Sequence, residues 1–236
     1  MNHKIRLQQP EQLDNLSLSG LSLQNTLSSL KFINTFFGTH RQLSKSIVSY
    51  CKSKPTVKTF NIVDIGCGGG DCIAYISKEL KKQNIAAVLT GIDGNPESIS
   101  YAIQQNSNNS FINYMVADIL DVNFVPPPCD ILISSHFIYH FNTKNLHLFL
   151  NKIQPKKIKH VIFSELNRNI LAYYAFKTIQ IILPISRIAK KDGLIAIQRA
   201  FTYKELKTIL QNNGIRKYKI LKKPFFRMIA QITFTQ

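Results

Sequence analysis

The run NIVDIGCGGGD (61–71) decides how the rest of the chain is read. Its first half, NIVDI (61–65), is apolar and β-branched, and it stops at a cluster of glycines. Glycines after a strand let the backbone approach a ligand closely, and the helix they introduce offers unpaired N–H groups to an anion. A dinucleotide turn is spaced G-x-G-x-x-G, which from Gly66 would place the third glycine at position 71. Asp71 stands there instead, and its carboxylate would repel a pyrophosphate. The pattern present is D-x-G-x-G-x-G, from Asp64 to Gly70. Such a turn suits a zwitterion, with an anionic end for the N–H groups and a cationic end for Asp64.

Working outward, strands and helices alternate. DCIAYISKELKKQ (71–83) carries Ile73, Ile76 and Leu80 at helical spacing and ends in lysines, where the helix dipole favours cations. AVLTGID (87–93) predicts a second strand, and NPESISYAIQQN (95–106) a helix with Pro96 in its first turn. FINYMVAD (111–118) and DILISS (130–135) predict strands three and four, LHLFLNKI (146–153) a helix and HVIFSEL (160–166) a fifth strand. Strands that are apolar throughout, rather than at alternate positions, imply a parallel sheet covered on both faces. Residues 167–200 then predict a helical insertion. A helix at 203–214 and strands at 217–221 and 228–235 complete the sheet. Before it, Leu21–Ser49 has the apolar spacing of an amphipathic helix. The expected division is an N-terminal helical cap at 1–54 and a sheet domain at 55–236. Cap and insertion both belong near the ligand crevice at the strand C-termini.

Charge is distributed unevenly over the 236 residues. Residues 1–150 hold 12 Lys/Arg against 10 Asp/Glu, whereas residues 151–236 hold 18 against 3. A basic back third points to an anionic partner: nucleic acid, a membrane surface or an acidic protein. Cys51, Cys67, Cys72 and Cys129 fit neither a zinc pattern nor a disulfide framework. The stretch Ile170–Ala189 is greasy but broken by Lys177, Gln180, Pro184 and Arg187, so it is not expected to span a membrane. No signal peptide is read at the N-terminus. The expected location is the cytoplasm, with peripheral contact to a membrane as an extension.

With these elements in place, residues 55–165 resemble the class I S-adenosylmethionine (SAM)-dependent methyltransferases. The resemblance implies SAM as cofactor and a Rossmann-like sheet, mostly parallel, with the last strand antiparallel. It implies that the turn from Asp64 through Gly66, Cys67, Gly68 and Gly70 meets the methionine part. Asp93, followed by Gly94, would take the ribose hydroxyls, and Asp118 with Ile119 would meet the adenine. Ser134 and Ser135 would end strand four beside the sulfonium. LKFINTFFGTHRQL (30–43), SELNRNILAYYAFK (164–177) and KKDGLIAIQRAFTYKEL (191–206) look like small-molecule methyltransferases found with polyketide-type biosynthetic genes. Those relatives carry Asp-Leu-His-Arg where this chain has Glu165-Leu166-Asn167-Arg168, and paired His where it has Tyr139-His140.

Methyl transfer is an in-line displacement, so alignment and exclusion of water dominate, and a base helps when the acceptor is a hydroxyl. His140 and His136, just after strand four, are the candidate bases, and Glu165 ends strand five at the same crevice. No metal is expected, since no acid or third ligand accompanies the two histidines in the sequence. The expected acceptor is a small molecule, the hydroxyl of an aromatic or polyketide-like compound. RNA, met through the basic back third, is the alternative. Adenine-amino and C5-pyrimidine methylation are set aside: Ser134-Ser-His-Phe137 replaces Asn/Asp-Pro-Pro-aromatic, and Cys129 precedes strand four. Lys152, Lys156, Lys157, Lys159, Arg216, Lys217, Lys219, Lys222, Lys223 and Arg227 are expected away from the crevice, as a docking face for an anionic membrane or an acidic carrier protein.

Overall fold

In the computed structural model, which describes residues 5–154 and 158–234, strand β1 (Phe60–Ile65) lies at the centre of the molecule. Around it run β2 (Ala87–Asp93), β3 (Ile112–Val116), β4 (Cys129–Ser135), β5 (Ile158–Leu166), β6 (Tyr218–Lys223) and β7 (Arg227–Thr233). Among the described residues these make one sheet of order β3-β2-β1-β4-β5-β7-β6. All pairs are parallel except those of β7, which runs antiparallel between β5 and β6. The expected α/β architecture is present, with the last strand antiparallel. The strand order reverses between β1 and β4, which opens a crevice beyond the C-terminal ends of those strands.

Why the strands are apolar throughout follows from their two faces. Ile62, Ile131, Ile133, Ile162 and Ile229 pack with Leu43 and Ile47 of α2 (Thr39–Lys52) and with Ile73, Ile76 and Leu80 of α3 (Asp71–Lys82). Val63, Ile65, Leu132, Val161 and Phe163 pack on the other face, with α5 (Thr143–Ile153) and α8 (Tyr203–Asn212). Successive strand residues alternate between two cores, so neither parity is free for polar residues. The fourth helix, α4 (Pro96–Gln105), packs against β2 and β3; Asn95 caps it by accepting the N–H groups of Glu97 and Ser98.

Several boundaries differ from expectation for local reasons. The single helix read over 21–49 is two, α1 (Gly20–Phe36) and α2, because Gly38 takes a left-handed φ of 70° and breaks the register. Helix α5 starts three residues early, since Asn142 caps it through the N–H of Asn145. The insertion resolves into α6 (Ile170–Ile179) and α7 (Arg187–Arg199). Lys156 and Lys157 lie outside the described residues, as does Thr235 at the end of the expected last strand. Among the described residues no helix is long and apolar enough to cross a membrane.

Candidate active site

A cavity of about 730 Å³ occupies the crevice at the C-terminal ends of β1, β2 and β4. Helices α1, α6 and α7 and the N-terminal segment cover it. Its floor is the glycine turn. The N–H groups of Gly66 and Cys67 both donate to the Ile92 carbonyl, at 2.8 and 3.0 Å, which bends the chain sharply off β1. Gly66 has φ 71°, and a Cβ there would lie 2.3 Å from the Phe137 ring, so only glycine fits. Asp93 secures the turn from β2: its Oδ2 accepts Gly68 N–H at 2.9 Å, and its Oδ1 accepts Asn95 N–H at 2.9 Å.

Asp64 carries more information. It is 1% exposed, lines the cavity, and neither carboxylate oxygen has a hydrogen-bond partner. Burial, then the charges of Asp71 and Asp93, holds its carboxyl well above the usual range. A buried carboxyl without a donor is costly unless a ligand supplies one. Asp71 is satisfied already, with its Oδ2 2.7 Å from His40 Nε2 of α2.

Of the residues read from the sequence, Asp64, Gly66, Cys67, Gly68, Asp93 and Gly94 line this cavity. So do Asp118, Ile119, Ser135, His136 and His140. Gly70, Ser134 and Glu165, expected at the site, do not line it. Gly70 is a left-handed turn residue at the start of α3, where a Cβ would lie 2.5 Å from Tyr114 Oη. Ser134 is fully buried within β4. Glu165 is buried, and its Oε1 accepts the N–H groups of Phe137 and Ile138, both at 3.1 Å, so it anchors the turn after β4 from below. Burial pushes its carboxyl up to about 8, consistent with a proton on the unpartnered Oε2.

Also on the cavity wall, His140 meets an acid that no local motif announces. Its Nδ1 lies 2.5 Å from Asp14 Oδ1, across 126 residues of sequence. Arg199 of α7 binds the other Asp14 oxygen at 2.6 Å and the His140 carbonyl at 2.8 Å. Asp14 stays ionised: burial works against it, but the hydrogen bonds and charges of His140 and Arg199 bring it down to about 2. For His140, burial opposes protonation, yet Asp14 and Glu11 outweigh it and the pKa rises above 6.5. The N-terminal segment is fastened in place by Arg6, which donates to the Phe141 and Arg199 carbonyls, and by Asp192, which accepts the N–H groups of Gln12 and Leu13. His136 differs. It has a left-handed φ of 53°, burial and the nearby Arg227 keep it neutral, and its Nδ1 has no partner. Among the described residues no cluster of His, Cys, Asp and Glu could hold a metal.

Asn167 and Arg168, at the family-like motif, are structural. Asn167 Oδ1 accepts Tyr203 N–H, and Arg168 holds Glu205 and the Ala200 carbonyl. Arg227, expected on an outer basic face, is instead buried against the cavity. Lys152 and Lys159 are also engaged, with the Ile119 and Asp121 carbonyls and with Asp130. Asp14 and Arg199 were missed, and Arg227 was placed elsewhere, because distant segments bring them to the site; a charge in apolar surroundings marked the two arginines, and nothing marked Asp14.

Residues 62–155 match a family model described as a methyltransferase domain. The chain superposes on the plantazolicin methyltransferase BpumL in complex with SAH, with a TM-score of 0.65, 18% identity, and 91% of this chain and 96% of that one covered. The fold is that of a class I methyltransferase. The methyltransferase fold is shared also with magnesium protoporphyrin IX methyltransferase from Synechocystis PCC 6803 with bound SAH, at a TM-score of 0.57, 16% identity, and 86% and 88% coverage. In sequence the chain is similar to the protein-lysine N-methyltransferase EFM4 of Saccharomyces cerevisiae, 25% identical over 171 residues, or 71% of this chain. It spans 63% of that relative's length.

Proposed function

We propose that the protein is an S-adenosylmethionine-dependent methyltransferase that methylates an oxygen of a small apolar acceptor, an aromatic or polyketide-like compound. The observation that carries this reading is one cavity lined both by the glycine turn with its acids and by the Asp14–His140 pair.

The residues present fit the cofactor. Asp64, buried with both oxygens unpartnered, would hold the ammonium, and Gly66, Cys67 and Gly68 present backbone to the methionine end. Asp93, with Gly94 beside it, would accept from the ribose hydroxyls; Asp118, Ile119 and Ser135 line the rest. When bound, SAM supplies an electrophilic methyl group on a sulfonium. With Nδ1 committed to Asp14, His140 has Nε2 left to take the acceptor's proton, and Asp14, tied to Arg199, fixes the ring and stabilises the imidazolium. Glu165 holds the turn that aims His140, as a positioning residue. The N-terminal segment and α1 act as the cap, closing the crevice against water.

The surface favours an anionic membrane as the protein's platform. Phe36, Leu171, Tyr174, Ile181, Ile182 and Phe225 are exposed on the elements around the cavity, and residues 166–236 hold only two acids, Asp192 and Glu205. An acidic carrier protein is the other partner of the same charge. Incubation with labelled-methyl SAM and cell extract tests the acceptor: label should enter small organic-soluble molecules. Label confined to protein, the class named for the yeast relative, or confined to RNA would overturn it.

A further inference from the structure

Arg227 opens β7, paired with Leu166 at the crevice end of β5. Its side chain is buried, at 4% exposure, yet lines the cavity. It forms no ion pair among the described residues. Nε has no partner, and Nη1 has only a long 3.4 Å contact with the Phe225 carbonyl. The guanidinium lies 5.3 Å from the Phe37 ring centroid, and Phe176, Ile179 and Phe226 line the same region of the cavity. Burial alone lowers its pKa, to about 10, with no carboxylate near enough to oppose it, so it stays charged at neutral pH.

A buried cation with no counter-charge is costly to keep, and a ligand that supplies the missing charge offsets that cost. Two neighbours point the same way. His136 lies close enough to sense the Arg227 charge, is neutral, and has an unpartnered Nδ1. The turn that delivers Arg227 holds Phe225 and Phe226 at φ of 59° and 54°, a conformation bulky residues rarely adopt, retained beside the cavity.

We propose that Arg227 anchors a carboxylate on the acceptor, so that the substrate class is an apolar, aromatic-bodied carboxylic acid bearing the hydroxyl to be methylated. A single guanidinium among phenyl rings matches a planar monoanion, paired through two parallel N–H donors. Dianionic phosphate would leave charge unmatched in those walls. This inference rests on reading the part of the cavity around Arg227 as the acceptor's place.

Calorimetry on SAH-loaded protein tests it, with 6-hydroxy-2-naphthoate and the neutral 2-naphthol as probes. SAH binding is measured first; its absence would defeat the methyltransferase reading itself. With SAH bound, the naphthoate should bind at least tenfold more tightly than the naphthol. Arg227→Gln should abolish that preference while SAH affinity and naphthol affinity hold, and Arg227→Lys, which keeps the charge but loses the fork, should retain part of it. Equal binding of the two probes by the wild type, binding of neither, or an undiminished preference in a folded Arg227→Gln would overturn the proposal.

Discussion

The two sides of the cavity are built in opposite ways. The side at β1 and β2 is acidic, with Asp64, Asp93 and Asp118 on turns that directly follow strands or close them. The part walled by α1, α6, α7 and β7 is mainly apolar and carries charges of both signs, Glu11, Asp14 and Asp192 with Arg227. Asp14, Arg227, Phe37 and Phe176 arrive there from the N-terminal segment, β7, the α1–α2 break and α6. The first side is local in sequence and suits a cationic ligand common to the fold. The second is assembled from distant segments and suits a particular molecule. A fold can keep its cofactor chemistry fixed while the acceptor is set by helices attached outside the sheet.

If that division is real, variants on the two sides should separate in what they damage. The largest effect is expected at the base: His140→Ala should lower turnover roughly 10²–10⁴-fold with SAH affinity unchanged. Steady-state rates beside calorimetry read both; a loss under tenfold would leave alignment and desolvation as the whole mechanism. Next comes Gly68→Val. An added Cβ at 68 meets nothing closer than Leu27 at 3.7 Å, so the fold should survive the strain of φ 52°, yet the branch would enter the cavity. SAH binding should fall below detection, and retained affinity in a folded variant would break the comparison on its acidic side. Asp93→Ala should weaken SAH by about 1.5–3 kcal/mol, roughly 10–10²-fold, through one lost charge-assisted bond or more.

Two smaller effects sharpen the picture through pH. His140 is effective as a base only above its raised pKa, so kcat/KM should climb with pH along a limb above 6.5. Asp14→Asn removes the partner that raises it and should move that limb to lower pH, with a lower plateau. A limb that stays put would show that Asp14 only packs. Glu165 is protonated in both folded and unfolded chains below about 4.5, while between there and about 8 the folded state alone keeps the proton. Its contribution to stability is therefore full in acid and lost as pH rises through that window. Melting temperatures from pH 5 to 8 should decline less steeply in Glu165→Gln than in the wild type.

Legibility in the sequence followed the same line. NIVDI, AVLTGID and DILISS have one conformation that buries them, and the glycines and aspartates that end them come within a few residues, so sheet and cofactor half were readable together. Gly38 was not: a helix pattern runs through it, and only the left-handed backbone shows the break. Asp14 looked like a polar residue in an unstructured lead-in, since nothing in LQQPEQLDN reports that His140 will fold against it. Arg227 was misplaced because net charge counts residues without showing which of them turn inward. Glu165 had the right address and a different duty, which burial and two backbone donors decide.

The N-terminal segment has a consequence for the base. Residues 6–18 lie across the crevice: Arg6 is clasped at one end, Leu18 accepts a hydrogen bond from Asn95 at the other, and Leu16 lies over Gly94. The same strap carries Asp14. Any displacement of the strap would take the carboxylate away from His140. On the proposed reading, His140 would be equipped as a base only while the strap is in place.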